Sequence, residues 1–209
     1  MSTLIIHGTP ASRTMRVLWA CKELGIDYTL DPVNHRKGEN KSERYTALNP
    51  NQTIPTISDG DFVLWESFAV TLYLARKYGG PIAVSGLEDE ALAEQWSMWA
   101  LTRLEDPCTV IQQSTNMPGS HSEERVAWAY EAVKAPLAVF EGQVAKQDYV
   151  MGDAFNIADL NLAGAMWPLY RTQYDFAGLS RTADWVGRCF DRPAIKEVME
   201  IMRQSLAEE

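Results

Sequence analysis

The apolar positions of the chain change their period near residue 80. Before it, short apolar and β-branched runs alternate with helical spacing. Thr3-Leu4-Ile5-Ile6-His7 ends at Gly8, and Ser12 to Leu24 then places Met15, Leu18, Trp19 and Cys21 at helical intervals until Gly25 stops the run. A strand followed by a helix is predicted. Tyr28 to Val33 reads as a second strand, while Thr56-Ile57-Ser58 and Phe62-Val63-Leu64 flank Asp59-Gly60, a short-range hairpin signal that makes the last two strands antiparallel. Glu66 to Tyr78 is rich in helix formers, with Phe68, Leu72 and Ala75 on one side, and Gly79-Gly80-Pro81 breaks it. The predicted order is βαβ, a connecting helical segment, then ββα, which is an α/β unit with a mixed four-stranded sheet.

Beyond Pro81 no period-two stretch survives, and the segments become long and helical. Glu88 to Gln113 is the first, expected to bend at Pro107, where the ring removes a backbone donor. Asn116-Met117-Pro118-Gly119 is a turn. Ser120 with Glu123 three residues on predicts a capping box for a second long helix, kinked at Pro136. Asn156 to Tyr170, Thr182 to Cys189 and Ala194 to Leu206 complete the set, with Pro193 in the first turn of the last. Two domains follow: residues 1–80, a linker at 81–87, and an all-helical bundle at 88–209.

Composition narrows the function classes. The 209 residues are 46% hydrophobic and 22% charged, which excludes a disordered or collagen-like chain. A formal charge of -9 argues against a nucleic-acid partner, which needs a basic surface. The charge is uneven: residues 1–80 hold nine basic and eight acidic side chains, residues 81–209 ten and twenty. Cys21, Cys108 and Cys189 have no paired spacing, and His7, His35 and His121 have no metal spacing, so neither a disulfide framework nor a metal site is expected. The N-terminus lacks a basic-then-apolar leader and no eighteen apolar residues run together, so a soluble cytoplasmic protein without a membrane partner is expected.

Three features hold the chemistry. In Asn49-Pro50-Asn51-Gln52-Thr53-Ile54-Pro55, Pro55 stands at the mouth of a strand, where it reads as a strand-entry proline or as a cis bond that leaves the Ile54 backbone free for an extended peptide. Glu66-Ser67 opens the third helix, whose first amides favour an anion; Glu66 would meet an amino group of the same ligand. The bland alternative is a plain helix cap. Finally, Gly8-Thr9-Pro10-Ala11-Ser12-Arg13 offers two hydroxyls at the first strand-to-helix turn. A hydroxyl there either caps the helix or donates to a thiolate and lowers that thiol's pKa.

Taken together these motifs resemble those of the cytosolic glutathione S-transferases over the full length of the chain. The resemblance implies a thioredoxin-like first domain, a helical second domain and glutathione as co-substrate. Within it, Thr53, Ile54 and Pro55 belong to the segment that pairs with the cysteinyl part, and Glu66 and Ser67 hold the γ-glutamyl end. Gly38-Glu39-Asn40-Lys41 is similar to the clamp for the glycine carboxylate, with Lys41 as the cation and Asn40 as a polar helper. Gly8 to Ser12 resembles the serine-type turn of phi-like and many bacterial members, which places the activating hydroxyl on Ser12; another alignment places it on Thr9. The Ser12 to Arg16 spacing is one residue shorter than the phi pattern. No cysteine stands in this turn, which disfavours the thiol-disulfide oxidoreductase reading, and a non-catalytic binding protein on the same scaffold is the other rival. The resemblance further implies a homodimer and an electrophile pocket between the domains, with Met98, Trp99, Thr102, Arg103, Met117, Trp167 and Tyr170 as candidates, most of them expected to be core. Gly152 to Leu160 is similar to the family's capping box and staple, with Asn156 as cap, Asp159 answering it and Phe155 packing on Leu160.

Overall fold

The computed structural model describes residues 4–207. Thr3, the start of the predicted first strand, lies outside them. In chain order the elements are β1 (Leu4–His7), α1 (Met15–Leu24), β2 (Tyr28–Asp31), α2 (Glu43–Leu48), β3 (Thr56–Asp59), β4 (Phe62–Trp65), α3 (Ser67–Tyr78), α4 (Leu87–Arg103) and α5 (Glu105–Asn116). There follow α6 (Glu123–Ala132), α7 (Lys134–Val144), α8 (Ile157–Arg171), α9 (Ser180–Phe190) and α10 (Pro193–Ala207). Two compact units result, one made of the chain through Val84 with the segment from Arg192 onward, the other of Ser85–Asp191. Among the described residues no helix is long and apolar enough to cross a membrane.

In the first unit the strands lie in the order β2-β1-β3-β4, with β1 parallel to β2 and antiparallel to β3, and β3 antiparallel to β4. Asp59 itself pairs with Phe62, so the hairpin turns at Gly60-Asp61, one residue later than the sequence signal. Leu4, Ile6 and Ile57 from the sheet are buried with Val17, Leu18 and Trp19 of α1 and Val70 and Leu74 of α3. Burial of each such side chain contributes roughly 1.5–3 kcal/mol. Gly25, at φ 64, closes α1 in the left-handed conformation that its missing Cβ permits.

Two expectations for this unit are corrected. Helix α1 begins at Met15, not Ser12, because Ala11 (φ -77, ψ 44) and Ser12 (φ -145, ψ -166) leave helical geometry. The last helix, assigned by sequence to the helical bundle, packs instead on α1. Its anchors are Arg192, which grips Glu23 through two bonds of 2.7 and 2.6 Å, and Glu197, 2.9 Å from Lys22. Trp19 Nε1 donates to the same Glu23 carboxylate.

In the helical unit both predicted long helices are split, and each split obeys one rule. Helix α4 ends at Arg103, four residues before Pro107, and α6 ends at Ala132, four residues before Pro136. A proline ring has no N–H for the carbonyl four residues back and collides with it, so the break falls there. Each proline then sits in the first turn of the next helix, where its missing donor costs nothing. The cap of α6 is Ser122, which accepts from the Arg125 amide, and not Ser120, whose own amide donates to Met117 in the preceding turn. The capping box at α8 forms as expected: Asn156 accepts from the Ala158 amide and Asp159 from the Asn156 amide. Asp159 is fully buried and also accepts from the Val150 amide at 2.9 Å and from Trp185 Nε1 at 2.8 Å. Helix α9 lacks a side-chain cap of its own, and Glu141 of α7 supplies one to the Arg181 and Thr182 amides. Burial alone would raise the Glu141 carboxyl, but the hydroxyl and amide of Thr182 and the amide of Arg181 hold it below the usual carboxylate range. All three cysteines are buried, and burial pushes the Cys21 thiol up to about 12, so it is inert at neutral pH.

Candidate active site

Strand register gathers the candidates of the first unit. His7 is level with Thr56 across β1 and β3, and Thr56 with Trp65 across β3 and β4. The residues one step beyond this row are Gly8, Pro55 and Glu66. Three segments far apart in sequence therefore leave the sheet at one edge. A Cβ built on Gly8 would come within 3.4 Å of Ile54 Cβ and would collide with Thr14 Oγ1, so glycine is what lets the first turn lie this close.

The Ile54-Pro55 bond is cis, and β3 begins only at Thr56, so the Ile54 backbone lies outside the strand ladder. Two buried side chains shape the approach to it. Tyr45 donates its hydroxyl to the Thr53 carbonyl at 2.6 Å, and Asn49 Nδ2 donates to the same oxygen at 2.8 Å while its Oδ1 accepts from the Asn51 amide. Gln52 takes a left-handed conformation (φ 56) inside this loop. Asn40 Nδ2 donates to the Gln52 carbonyl at 2.6 Å, which ties the Gly38 to Lys41 segment to the loop, while its Oδ1 is buried without a hydrogen-bond partner. Lys41 is exposed beside it.

At the start of α3, Glu66 is exposed at φ 72 and ψ 109, while Ser67 is buried. The Ser67 hydroxyl accepts from Arg16 Nη1 at 3.2 Å, which leaves its own proton for an acceptor at the mouth of the helix. Arg16 is buried, with its guanidinium 4.7 Å from the Phe68 ring centre. A positive charge thus lies beneath the positive end of the helix dipole. Sequence reasoning missed Arg16 because its partner is fifty-one residues away. It also missed Gln52 and the structural work of Asn49 and Tyr45.

In the first turn the half-buried Ser12 donates its hydroxyl to the Thr9 carbonyl at 2.6 Å and accepts from the Thr14 amide at 3.1 Å. Thr9 is buried, and its Oγ1 lies 3.3 Å from His35 Nδ1. Below the turn, buried His7 bridges Asp31 (2.7 Å) and Ser58 (2.9 Å), and Arg44 meets the same Asp31 oxygen at 2.7 Å. Burial would raise Asp31, but the hydrogen bonds and charges of Arg44 and His7 together hold it below its ordinary value. At the opposite end of the sheet, Asp59 is paired with Lys77 and accepts from the Tyr73 hydroxyl.

The candidates for an electrophile pocket all fall in the helical unit, and the expectation that most are core is corrected. Met98 (47%), Met117 (56%) and Tyr170 (37%) are exposed, as are Thr102 and Arg103, while Trp99 and Trp167 are half-buried. The buried side of α4 consists of Ala93, Trp96, Ser97 and Ala100, at helical spacing, and this turns Met98 and Thr102 outward. Trp167 and Tyr170 pack with Phe190 of α9, whose ring stacks 4.2 Å from Tyr170.

Comparison with known proteins shows the family. Residues 12–77 match the glutathione S-transferase N-terminal domain and residues 101–193 the C-terminal domain. A glutathione S-transferase of Hyoscyamus muticus is 31% identical over 93% of this chain and 97% of its own. The chain belongs to the glutathione S-transferase family, and it is an enzyme. Glutathione S-transferase 1 of Triticum aestivum is 29% identical over 97% of this chain and 96% of its own. Among solved structures, the theta class glutathione S-transferase of Xanthomonas axonopodis pv. citri, with glutathione bound, superposes with a TM-score of 0.86 at 28% identity, covering 94% of this chain and 97% of that one. The N-terminal match takes in Ser12, Pro55, Glu66 and Ser67, while Thr9 precedes it.

Proposed function

We propose that this transferase binds glutathione along the sheet edge where Gly8, Pro55 and Glu66 emerge, and that Ser12 stabilises the bound thiolate. The observation that supports the reading is the common row of His7, Thr56 and Trp65, which brings three ligand-recognition motifs to one place. Ile54 pairs its backbone with the cysteinyl unit, Glu66 takes the amino group, Ser67 and the first amides of α3 take the γ-glutamyl carboxylate, and Lys41 takes the glycine carboxylate. Asn40 and Thr53 support the loop. The thiolate then attacks a small hydrophobic electrophile, or reduces an organic hydroperoxide. Lowering a thiol pKa from ~8.5 by about two units is worth roughly 2.7 kcal/mol and makes most of the thiol nucleophilic at neutral pH. In this reading Met98, Trp99, Thr102, Arg103, Met117, Trp167 and Tyr170 supply the electrophile side, and the enzyme acts in the cytoplasm.

Ser12→Ala should raise the pH midpoint of bound-thiolate absorbance by roughly one to two units, the size of a lost charge-assisted hydrogen bond. Thr9→Ala should leave it in place. An unmoved midpoint in Ser12→Ala with a raised one in Thr9→Ala would transfer the role to Thr9. Failure of the unmodified protein to bind glutathione resin would favour the non-catalytic alternative. A panel of a halogenated arene, a hydroperoxide, an epoxide and an isothiocyanate separates the reaction types.

The same reading includes a homodimer. Strand β4 is a sheet edge, and Phe62 (46%), Val63 (36%) and Trp65 (39%) are exposed along it. Apolar edges of this kind are normally covered. Sedimentation is expected at twice the 23.5 kDa chain mass, and Trp65→Glu should shift it to the chain mass; a monomer in the unmodified protein would remove the dimer from the proposal.

A further inference from the structure

We infer that Tyr45 is a positioning residue for glutathione: its hydroxyl fixes the plane of the Thr53-Ile54 peptide and so aims the Ile54 N–H at the cysteinyl unit, a role that rests on the glutathione site proposed above. Tyr45 is fully buried on α2, and its hydroxyl donates to the Thr53 carbonyl at 2.6 Å while lying 2.9 Å from Thr56 Oγ1. One atom therefore touches the residue before Ile54-Pro55 and the residue after it. Thr56 opens β3 and is level with His7 and Trp65, so the hydroxyl ties the loop to the row from which the site emerges. Asn49, also fully buried, reaches the same two residues, with Nδ2 2.8 Å from the Thr53 carbonyl and 3.2 Å from Thr56 Oγ1.

A carbonyl oxygen has two acceptor sites, and two buried donors fill both here. The Thr53 C=O and the Ile54 N–H belong to one planar trans peptide, in which these groups point in opposite directions. A carbonyl drawn inward to Tyr45 and Asn49 sends the Ile54 N–H the other way, out of the core. The Ile54 backbone lies outside the strand ladder, so its direction is set by the two donors on the neighbouring oxygen. Turning the peptide over would strand both buried donors at once, which is costly. The next residue up the loop, Gln52 at φ 56, is held by the same helix, its Nε2 donating to Thr46 at 3.2 Å. Helix α2 is itself fixed to the sheet through Arg44 and Asp31. An extended peptide that reaches this edge finds a donor already aimed, with little ordering left to do on binding.

Tyr45→Phe removes the hydroxyl alone. It is expected to raise the KM for glutathione roughly 3- to 10-fold, the size of one neutral hydrogen bond, with kcat within about twofold of the unmodified enzyme. The pH midpoint of bound-thiolate absorbance should stay in place, because Ser12 is untouched. Tyr73→Phe is the control: it removes a hydroxyl bond to Asp59 from the same unit at the opposite end of the sheet, and should leave KM unchanged. Amide hydrogen exchange read by NMR gives a direct measure that needs no variant, since glutathione should protect the Ile54 amide of the unmodified protein. In Tyr45→Phe that protection should weaken. A KM unmoved by Tyr45→Phe, or raised as much by Tyr73→Phe, would overturn the inference, as would glutathione binding that leaves the Ile54 amide unprotected. Failure of the unmodified protein to bind glutathione resin would instead overturn the ligand site on which the role of Tyr45 rests.

Discussion

Asp159→Ala is expected to lower the stability of the helical unit by about 2–4 kcal/mol at neutral pH, because it strands buried donors that cost roughly 1–3 kcal/mol each when unmet. Three N–H groups converge on this carboxylate, from Val150, Asn156 and Trp185, so its loss loosens the start of α8, its connection to the 149–152 turn and its contact with α9 together. Burial pushes the Asp159 carboxyl up to about 6 in spite of those donors. A carboxyl whose folded pKa exceeds its unfolded value of ~3.9 binds a proton that the unfolded chain has released. Its contribution is therefore fullest below about pH 4 and is lost as pH rises through about 6. The penalty of Asp159→Ala should accordingly be larger near pH 5 than near pH 7, as read from urea midpoints followed by circular dichroism. Asp31 and Glu141, both held below the usual carboxylate range, act in the opposite sense and only at lower pH, so they do not mask the comparison. A penalty that is equal at the two pH values, or smaller near pH 5, would show that Asp159 stays ionised throughout.

Glu66→Gly is expected to stabilise the fold while weakening the hold on glutathione. Glu66 holds φ 72 and ψ 109, a region in which a side chain costs about 1–3 kcal/mol, so glycine should raise the thermal midpoint. The same change removes the carboxylate assigned to the glutathione amino group, and loss of a charged hydrogen bond should raise the KM for glutathione roughly 10- to 100-fold with little change in kcat. Glu66→Gln separates the effects, because it keeps the strained backbone and loses only the charge. It should raise KM without the gain in stability. A KM unchanged in both variants would take Glu66 out of the ligand site.

What the sequence made legible was local. Pro55, Glu66-Ser67 and the Asn156 to Asp159 box are each decided within four residues, and each appears where it was placed. The sheet order was legible because the hairpin and the strand-helix-strand pattern leave few ways to join four strands. Errors arose where the deciding partner was distant or the rule was misapplied by a few residues. Proline marked both helix breaks, but the break lies at the carbonyl it collides with, not at the ring. Ser120 had the better capping sequence and lost to Ser122 because its amide belongs to the turn begun at Met117. The partnership of Arg192 with Glu23, which draws α10 to the first unit, spans 169 positions and leaves no trace in either local sequence. The true start of α1 was hidden for a different reason: Ala11 and Ser12 leave helical geometry, which the helical spacing of Ser12 to Leu24 concealed.

The row formed by His7, Thr56 and Trp65 also makes the site a proofreader of its own sheet. A slip of β3 by one residue would turn Ile57 outward and carry Pro55 away from Gly8, while Glu66 would travel with β4 to a new level. No mispaired sheet presents all three segments together. If glutathione spans them as proposed, it recognises only correctly registered molecules, and each one held would count one chain whose strands have found their proper partners.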